Sequence, residues 1–344
     1  MPGIPFRRLI EIFVTEIERS GATVHVLGKV TRRPARVRVI TPDGSTDCLV
    51  FLWTVTLGGG GAGVRPPDER RIQLTNVSSF PLTPGVRAVV GGWSEEFGAF
   101  AFWDPRRHSR FSQRSPSLQV IAPTLEEAGV RGLATYTRPS RQGREVVVVV
   151  APSNLLWYVQ SGHLLHNADQ DAGCVRDMID ATPDPVPVLE NFGPRSESQA
   201  ARGYEIVETI RAYRDARFRA AVLHAYGYRC AVCNTALKLV DAAHIVPVAH
   251  PRSTDDITNG IALCRLHHGA YDNALLGVQS TYRIVINDSA LARLELAVLT
   301  SGFEEFRDRL PTEIRLPVSP ELRPDSRNFR IGLEARQWPS ALIA

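Results

Sequence analysis

Two short knuckles, Cys230-x2-Cys233 and Cys264-x2-His267, place four soft ligands within one stretch of the chain. Three thiols and an imidazole suit tetrahedral Zn²⁺ with no coordination position left open, and such a site contributes folding energy directly. If all four hold one ion, the segment between the knuckles must double back so that its two ends meet. Buried free thiols are the other reading of these cysteines; matched spacing at both ends favours zinc. Cys48 and Cys174 stand alone. Five cysteines, three of them grouped beside histidines, argue for metal binding over a disulfide framework.

The 344 residues can build two domains, each with its own core. The chain has no apolar run of about 18 residues, so no membrane span is expected. The opening "MPGIPFRRLIEIFV" lacks the long apolar region and small-residue cleavage site of a secretory signal, which makes a cytoplasmic protein the expectation. The formal charge is +4, and the cationic side chains are almost all arginine. Arginine forks match phosphate oxygens and guanine edges; a GC-rich genome would produce the same bias.

Up to about residue 181 the chain reads as β-rich. "ARVRVITP", "DCLVFLWTVTL", "RIQLTNV", "GVRAVVGGW" and "EVVVVVAPSNLLWYV" are apolar or alternating runs, separated by the turn signals "PDG", "GGGGAG", "TPG" and "RQG". Helices are expected over Phe6 to Ser20 and near Leu125 to Gly132. Residues 182–203 carry four prolines among polar residues and read as a linker. A long helix follows from Tyr204, with Arg211, Arg214, Arg217 and Arg219 along or near its outer side. Those arginines are either a solvated face or a stripe that tracks phosphates. The module then runs to residue 310, and a proline-broken tail, 311–344, is expected to pack along it.

A second set of residues is interleaved with the zinc ligands: His244 in "DAAHIVP", Asn259 in "TNGIALC", then His268 and Asp272 in "CRLHHGAYD". On a helix beginning near Leu266, His268 and Asp272 stand one turn apart on one face. Such a pair can hold a cation, and His244 facing it from a strand can take a proton from water. His267 and His268 are neighbours, so on a helix they point about 100° apart. That directs them to two different sites.

The order and spacing of these residues, His244-x14-Asn259-x8-His268 inside the paired knuckles, resembles the HNH (ββα-metal) nucleases. The resemblance covers roughly residues 218–287 and rests on "CAVC", "AAHIVP", "NGIALC" and "HHGAYD" occurring in that order. It implies that His244 is the general base that activates water, that Asn259 orients the loop or His244, and that His268, with Asp272 beside it, binds a catalytic Mg²⁺ or Mn²⁺. Many members carry an acid or histidine just before the catalytic histidine; here that position is Ala243, with Asp241 three residues before His244. The implied fold class is α+β: a β-rich N-terminal domain plus a C-terminal zinc-stapled ββα-metal nuclease domain.

A bare module of this type has little sequence specificity, so the first 181 residues are expected to choose the target. In "FWDPRRHSRFSQRSPSLQV", Arg106, Arg107, Arg110 and Arg114 are interleaved with Trp103 and Phe111, a pattern suited to phosphate contacts and base stacking. The same segment can instead be a polar loop with its aromatics turned into the core. Arg32 and Arg33 in "VTRRPARVRV" form a second basic patch, and Arg217 and Arg219 join the DNA-binding candidates. The glycine run "LGGGGAGVRPPDERR" lacks a phosphate-binding lysine at the required spacing, so no nucleotide cofactor is expected. The plan resembles that of restriction endonucleases. It implies a homodimer acting on double-stranded DNA, with dependence on a modified base as an open extension. The competing readings are a zinc-stapled DNA-binding regulator that does not cut, and an HNH nuclease of homing or toxin type.

Overall fold

The computed structural model describes residues 3–42, 44–57, 66–108, 116–140, 143–167 and 197–343, with side chains in the long helix described from residue 208 on. Arg110 and Arg114, Cys174, the glycine run and most of the expected linker lie outside the described residues. The chain divides into two compact units, Met1–Arg214 and Asp215–Ala344.

The first unit opens with α1 (Phe6–Arg19), whose Leu9, Ile10, Phe13 and Ile17 recur at helical spacing and are buried. The chain then runs through β1 (Thr23–Leu27), β2 (Ala35–Thr41), β3 (Gly44–Thr54), β4 (Thr56–Leu57), β5 (Glu69–Gln73), β6 (Val86–Ser94), β7 (Ala99–Trp103) and β8 (Ser117–Ile121). After α2 (Ala122–Arg131) come β9 (Leu133–Ser140), β10 (Gly143–Val150) and α3 (Leu155–Gln160). Seven strands form one sheet in the order β1-β2-β3-β6-β7-β10-β9; β4, β5 and β8 form a second.

Residue pattern follows position in the sheet. In β2, buried Ala35, Val37 and Val39 alternate with exposed Arg36 and Arg38, as a strand with one solvated face requires. In β7 and in β10 from Glu145 on, every residue is buried, because these strands are covered on both faces. Among the described residues only β3 and β6 pair in parallel, and the segment joining them passes through β4 and β5. Phe51, Trp53, Ile72, Trp103 and Val147 are among the side chains packed into one core cluster.

One buried histidine gives this unit a pH dependence. His163 has Nδ1 buried without a hydrogen-bond partner, and burial, aided by nearby Arg87, lowers its pKa to about 3. The ring is therefore neutral in the folded chain, whereas the unfolded chain takes up a proton near pH 6.5. Its contribution to stability is complete above that value and is lost as pH falls toward 3. Thermal melting between pH 7 and 4 should show a steeper decline for the native sequence than for His163→Leu. Equal slopes would remove His163 from the account.

The long helix α4 (Glu197–Ala225) continues into the second unit. There β11 (Val240–His244) pairs antiparallel with β12 (Gly260–Cys264), in a register that sets Val240 opposite Cys264 and His244 opposite Gly260. Helix α5 (Arg265–Asp272) follows β12 without a break. Next come the hairpin β13 (Leu276–Val278) and β14 (Ile284–Ile286), then α6 (Asp288–Leu296), α7 (Phe303–Asp308) and α8 (Ser326–Ala335). Val222, Ile245, Ile261, Leu263, Tyr271, Leu276 and Phe329 share the core. The described residues form an α+β chain, and the second unit carries every residue of the two interleaved sets. No helix among the described residues is long and apolar enough to cross a membrane.

Candidate functional site: two histidines, two sites

The ladder that pairs β11 with β12 also brings the knuckles together. Cys230 and Cys233 precede β11, Cys264 ends β12, and His267 lies in the first turn of α5. The Ala231 amide donates to the Ala262 carbonyl at 2.8 Å, which locks the first knuckle against β12. The ligand atoms of Cys230, Cys233, Cys264 and His267 all lie within 4.8 Å of one another. His267 Nδ1 is 3.1 Å from Cys264 Sγ and 3.6 Å from Cys230 Sγ, and Cys233 Sγ is 3.7 Å from Cys264 Sγ. The sulfur separation is far beyond a disulfide bond. It matches the ~3.8 Å edge of a tetrahedron built on zinc–sulfur bonds of about 2.3 Å.

Burial and hydrogen bonding set the protonation of these four groups. Burial pushes the Cys230 thiol up to about 12, although backbone N–H groups of the knuckle face its sulfur. Burial also pushes on Cys233, but hydrogen bonding with Thr235 outweighs it and the thiol moves down. His267 is moved down by burial, which keeps its ring neutral and able to donate a lone pair. The donor set therefore fits Zn²⁺.

His268, one residue on, faces elsewhere. Its Nε2 lies 3.3 Å from Asp272 Oδ2, one helical turn along α5, and neither group is buried. His244, at the end of β11, stacks on the Phe218 ring with centroids 3.9 Å apart and planes 13° from parallel. Gly260, directly across the ladder, makes this possible: a Cβ there would run into Val222 and press on Phe218. His244 Nε2 lies 3.0 Å from Asp255 Oδ1, and its side chain keeps 15% exposure, so solvent can still reach the ring.

Asn259 is buried and holds the loop between the two strands. Its Oδ1 accepts from the Val246 amide at 2.9 Å, while Nδ2 donates to the Thr254 carbonyl at 2.9 Å. Both strand ends beside His244 are thereby tied to the loop that carries Asp255. Asp241, considered for the position vacated at Ala243, is engaged by Arg219 at 2.6 Å. His250 is a loop residue whose Nδ1 accepts from the Arg252 amide. Asp255 and Arg336 escaped the sequence reading. The guanidinium of Arg336 donates to the carbonyls of Ile245 (2.7 Å) and His244 (3.1 Å) and lies 4.0 Å from Asp272 Oδ1. Through it, the His244 backbone and the His268–Asp272 pair converge. Among the described residues only the zinc quartet gathers three or more ligand atoms closely. A second ion here would therefore have few protein ligands, its shell completed by water and phosphate, as Mg²⁺ accepts.

The DNA-binding candidates are scattered across both units. Trp103 corrects the expectation: it is fully buried and its indole donates to the Gln119 carbonyl, so it cannot stack on a base. It closes the all-buried strand β7, and the core claims its ring. Arg106 is clamped to Asp104 and Asn167, and Arg107 also lies beside Asp104. Arg32 and Arg217 are exposed. Arg33 is half-buried, donates to the Leu52 carbonyl and sits over the rings of Phe6 and Trp53. Burial lowers its pKa to about 10. It borders a concavity of about 360 Å³ lined also by Phe51, Asn76, Ser78 and Ser79.

Residues 230–279 match the family model described as HNH endonuclease, and residues 46–159 match the model described as Methylase-associated X1. No curated protein matches the chain. Among solved structures, a modification-dependent restriction endonuclease, TagI, is 15% identical over 86% of this chain and 82% of that one. Its TM-score of 0.30 is too low to carry an argument.

Proposed function

We propose that this chain, whose residues 230–279 are an HNH endonuclease domain, is a metal-dependent DNA endonuclease of restriction type that acts inside the cell. The observation that supports it most is that two His–Asp pairs, His244 with Asp255 and His268 with Asp272, are joined through Arg336, which bonds the His244 carbonyl and lies beside Asp272. A regulator that only bound DNA would need the zinc quartet but none of these four.

In the mechanism we infer, Asp255 accepts a hydrogen bond from Nε2–H of neutral His244, which keeps the proton there and leaves the lone pair on Nδ1 to take a proton from the attacking water. Phe218 fixes the plane of that ring, and Asn259 fixes the loop that delivers Asp255. His268 would hold Mg²⁺ or Mn²⁺, and Asp272 would set its ring orientation, as carboxylates do for ligating histidines. Such an ion, when bound, would supply Lewis-acid stabilisation of charge on the phosphate and the leaving oxygen. The Cys230, Cys233, Cys264 and His267 quartet would hold Zn²⁺ in a purely structural role.

The first unit is the reader in this proposal. Exposed Arg32 in this unit, and exposed Arg217 in the second, are arginines available for phosphate contacts. The concavity beside Arg33 combines a desolvated cation, an aromatic ring and small polar groups, chemistry that suits one nucleotide. The name of the matching model, Methylase-associated X1, fits a reader that senses methylation. Cutting both strands calls for two such sites, so the acting species is a homodimer. The test is digestion of matched unmodified, methylated and hydroxymethylated duplexes with Mg²⁺ or Mn²⁺. Cleavage of at least one substrate class, at a rate at least about tenfold above another, is the expected result. Equal cleavage of all three would leave the nuclease reading intact and remove modification dependence.

A further inference from the structure

Helix α8 lies some fifty residues beyond the segment matched by the HNH model, yet it reaches into the nuclease site. We infer that Arg336, at the end of that helix, is a positioning residue that sets the spacing between the proton-accepting His244 and the His268–Asp272 pair. The inference rests on the nuclease reading of those residues.

Four contacts define what Arg336 does. Nη1 donates to the Ile245 carbonyl and Nη2 to the His244 carbonyl, the first acceptor beyond β11 and the last within it. The guanidinium lies over the Tyr271 ring, 4.5 Å from its centroid, and Nη2 is 4.0 Å from Asp272 Oδ1. One planar group thus touches the strand that carries His244 and the helix that carries His268. The side chain is only 11% exposed, so these contacts are made where water competes poorly.

The backbone of α8 is held just as closely. A Cβ on Gly332 would collide with the Ile245 carbonyl oxygen, so the helix approaches β11 as only glycine permits. Asp325 N–H and the Asn328 side chain both donate to the Thr258 carbonyl, beside Asn259. Phe329 and Leu333 are buried. The helix therefore brackets the His244–Asn259 loop from both of its ends. An arginine serves here better than a lysine, because a fork can satisfy two carbonyls and face a carboxylate together.

The test compares Arg336→Ala, Arg336→Lys and the unsubstituted protein in full-length form. Three readouts apply: kcat on cleavable duplex with Mn²⁺, duplex affinity in EDTA, and bound zinc. Arg336→Ala should lose about 30- to 100-fold in kcat, the scale of a misplaced catalytic group. Affinity should stay within about threefold and zinc at one equivalent per chain. Added methylguanidinium should restore at least about tenfold of the lost rate, since it refills a vacated fork. Arg336→Lys, which keeps the charge, should fall by about 3- to 10-fold. A kcat within about twofold of the unsubstituted protein in Arg336→Lys, or loss without methylguanidinium rescue in Arg336→Ala, overturns the inference. A further readout does not need cleavage: ring-nitrogen NMR should show His244 as one sharp set in the native sequence and broadened or doubled in Arg336→Lys. Unchanged His244 resonances would overturn the positioning role even if the protein cut no DNA at all. A silent native protein with the expected NMR change would fault the nuclease reading alone.

Discussion

His244→Ala should remove about 10²–10⁴-fold of the cleavage rate, the range that a positioned general base supplies. The ring is the group whose surroundings are most fully arranged: stacked on Phe218, bonded to Asp255, and left partly open to solvent. Because its side chain is not part of the zinc quartet, the substituted protein should keep its zinc and bind duplex in EDTA with unchanged affinity. Asp255→Asn should behave as a milder version, since the amide can still bond the ring without favouring the productive tautomer. Single-turnover cleavage, filter binding and zinc content on the same preparations decide this. Activity retained in His244→Ala would mean that another group accepts the proton.

Removal of the zinc site has the second large effect, and it falls on the fold. Cys230→Ser or His267→Ala leaves three ligands and buried thiols without a cation, in a unit whose strand register runs directly into those ligands. Metal binding at such sites is worth about 10 kcal/mol or more, so the second unit should unfold cooperatively or melt far earlier. His268→Ala, one residue away, should keep zinc, stay within about 1 kcal/mol of native stability and lose cleavage. Calorimetry and metal analysis on His267→Ala and His268→Ala in parallel make the comparison. Identical behaviour of the two would mean that the adjacent histidines serve one purpose.

How much of this was legible before the fold depends on how local each signal is. The zinc ligands carry their spacing in sequence, two residues between partners at each end, and the structure brings all four together. The separation of His267 from His268 follows from helical geometry alone. Asp255 could not be read so directly: it sits in an aperiodic loop eleven residues after His244, among Ser253, Thr254 and Asp256, which offer comparable polar side chains. Arg336 is one of many arginines and is ninety-odd residues from the strand it holds, so only tertiary packing singles it out. For Trp103 the structure selects the reading in which the aromatic turns into the core. Basic residues following an aromatic suggested a stacking surface, but "AFAFW" is a continuous apolar run, and such runs mark strands covered on both faces. The parallel pairing of β3 with β6 likewise left no local trace, since it joins segments separated by a second sheet.

The account stands most directly on one digestion: zinc-loaded native protein with supercoiled and linear duplex DNA, in EDTA and then with Mg²⁺ or Mn²⁺, using the modified and unmodified substrates described above. It predicts intact DNA in EDTA and metal-dependent nicking followed by linearisation of at least one substrate, absent in His244→Ala. DNA left whole under every metal and every modification, by protein that retains its zinc, would contradict it.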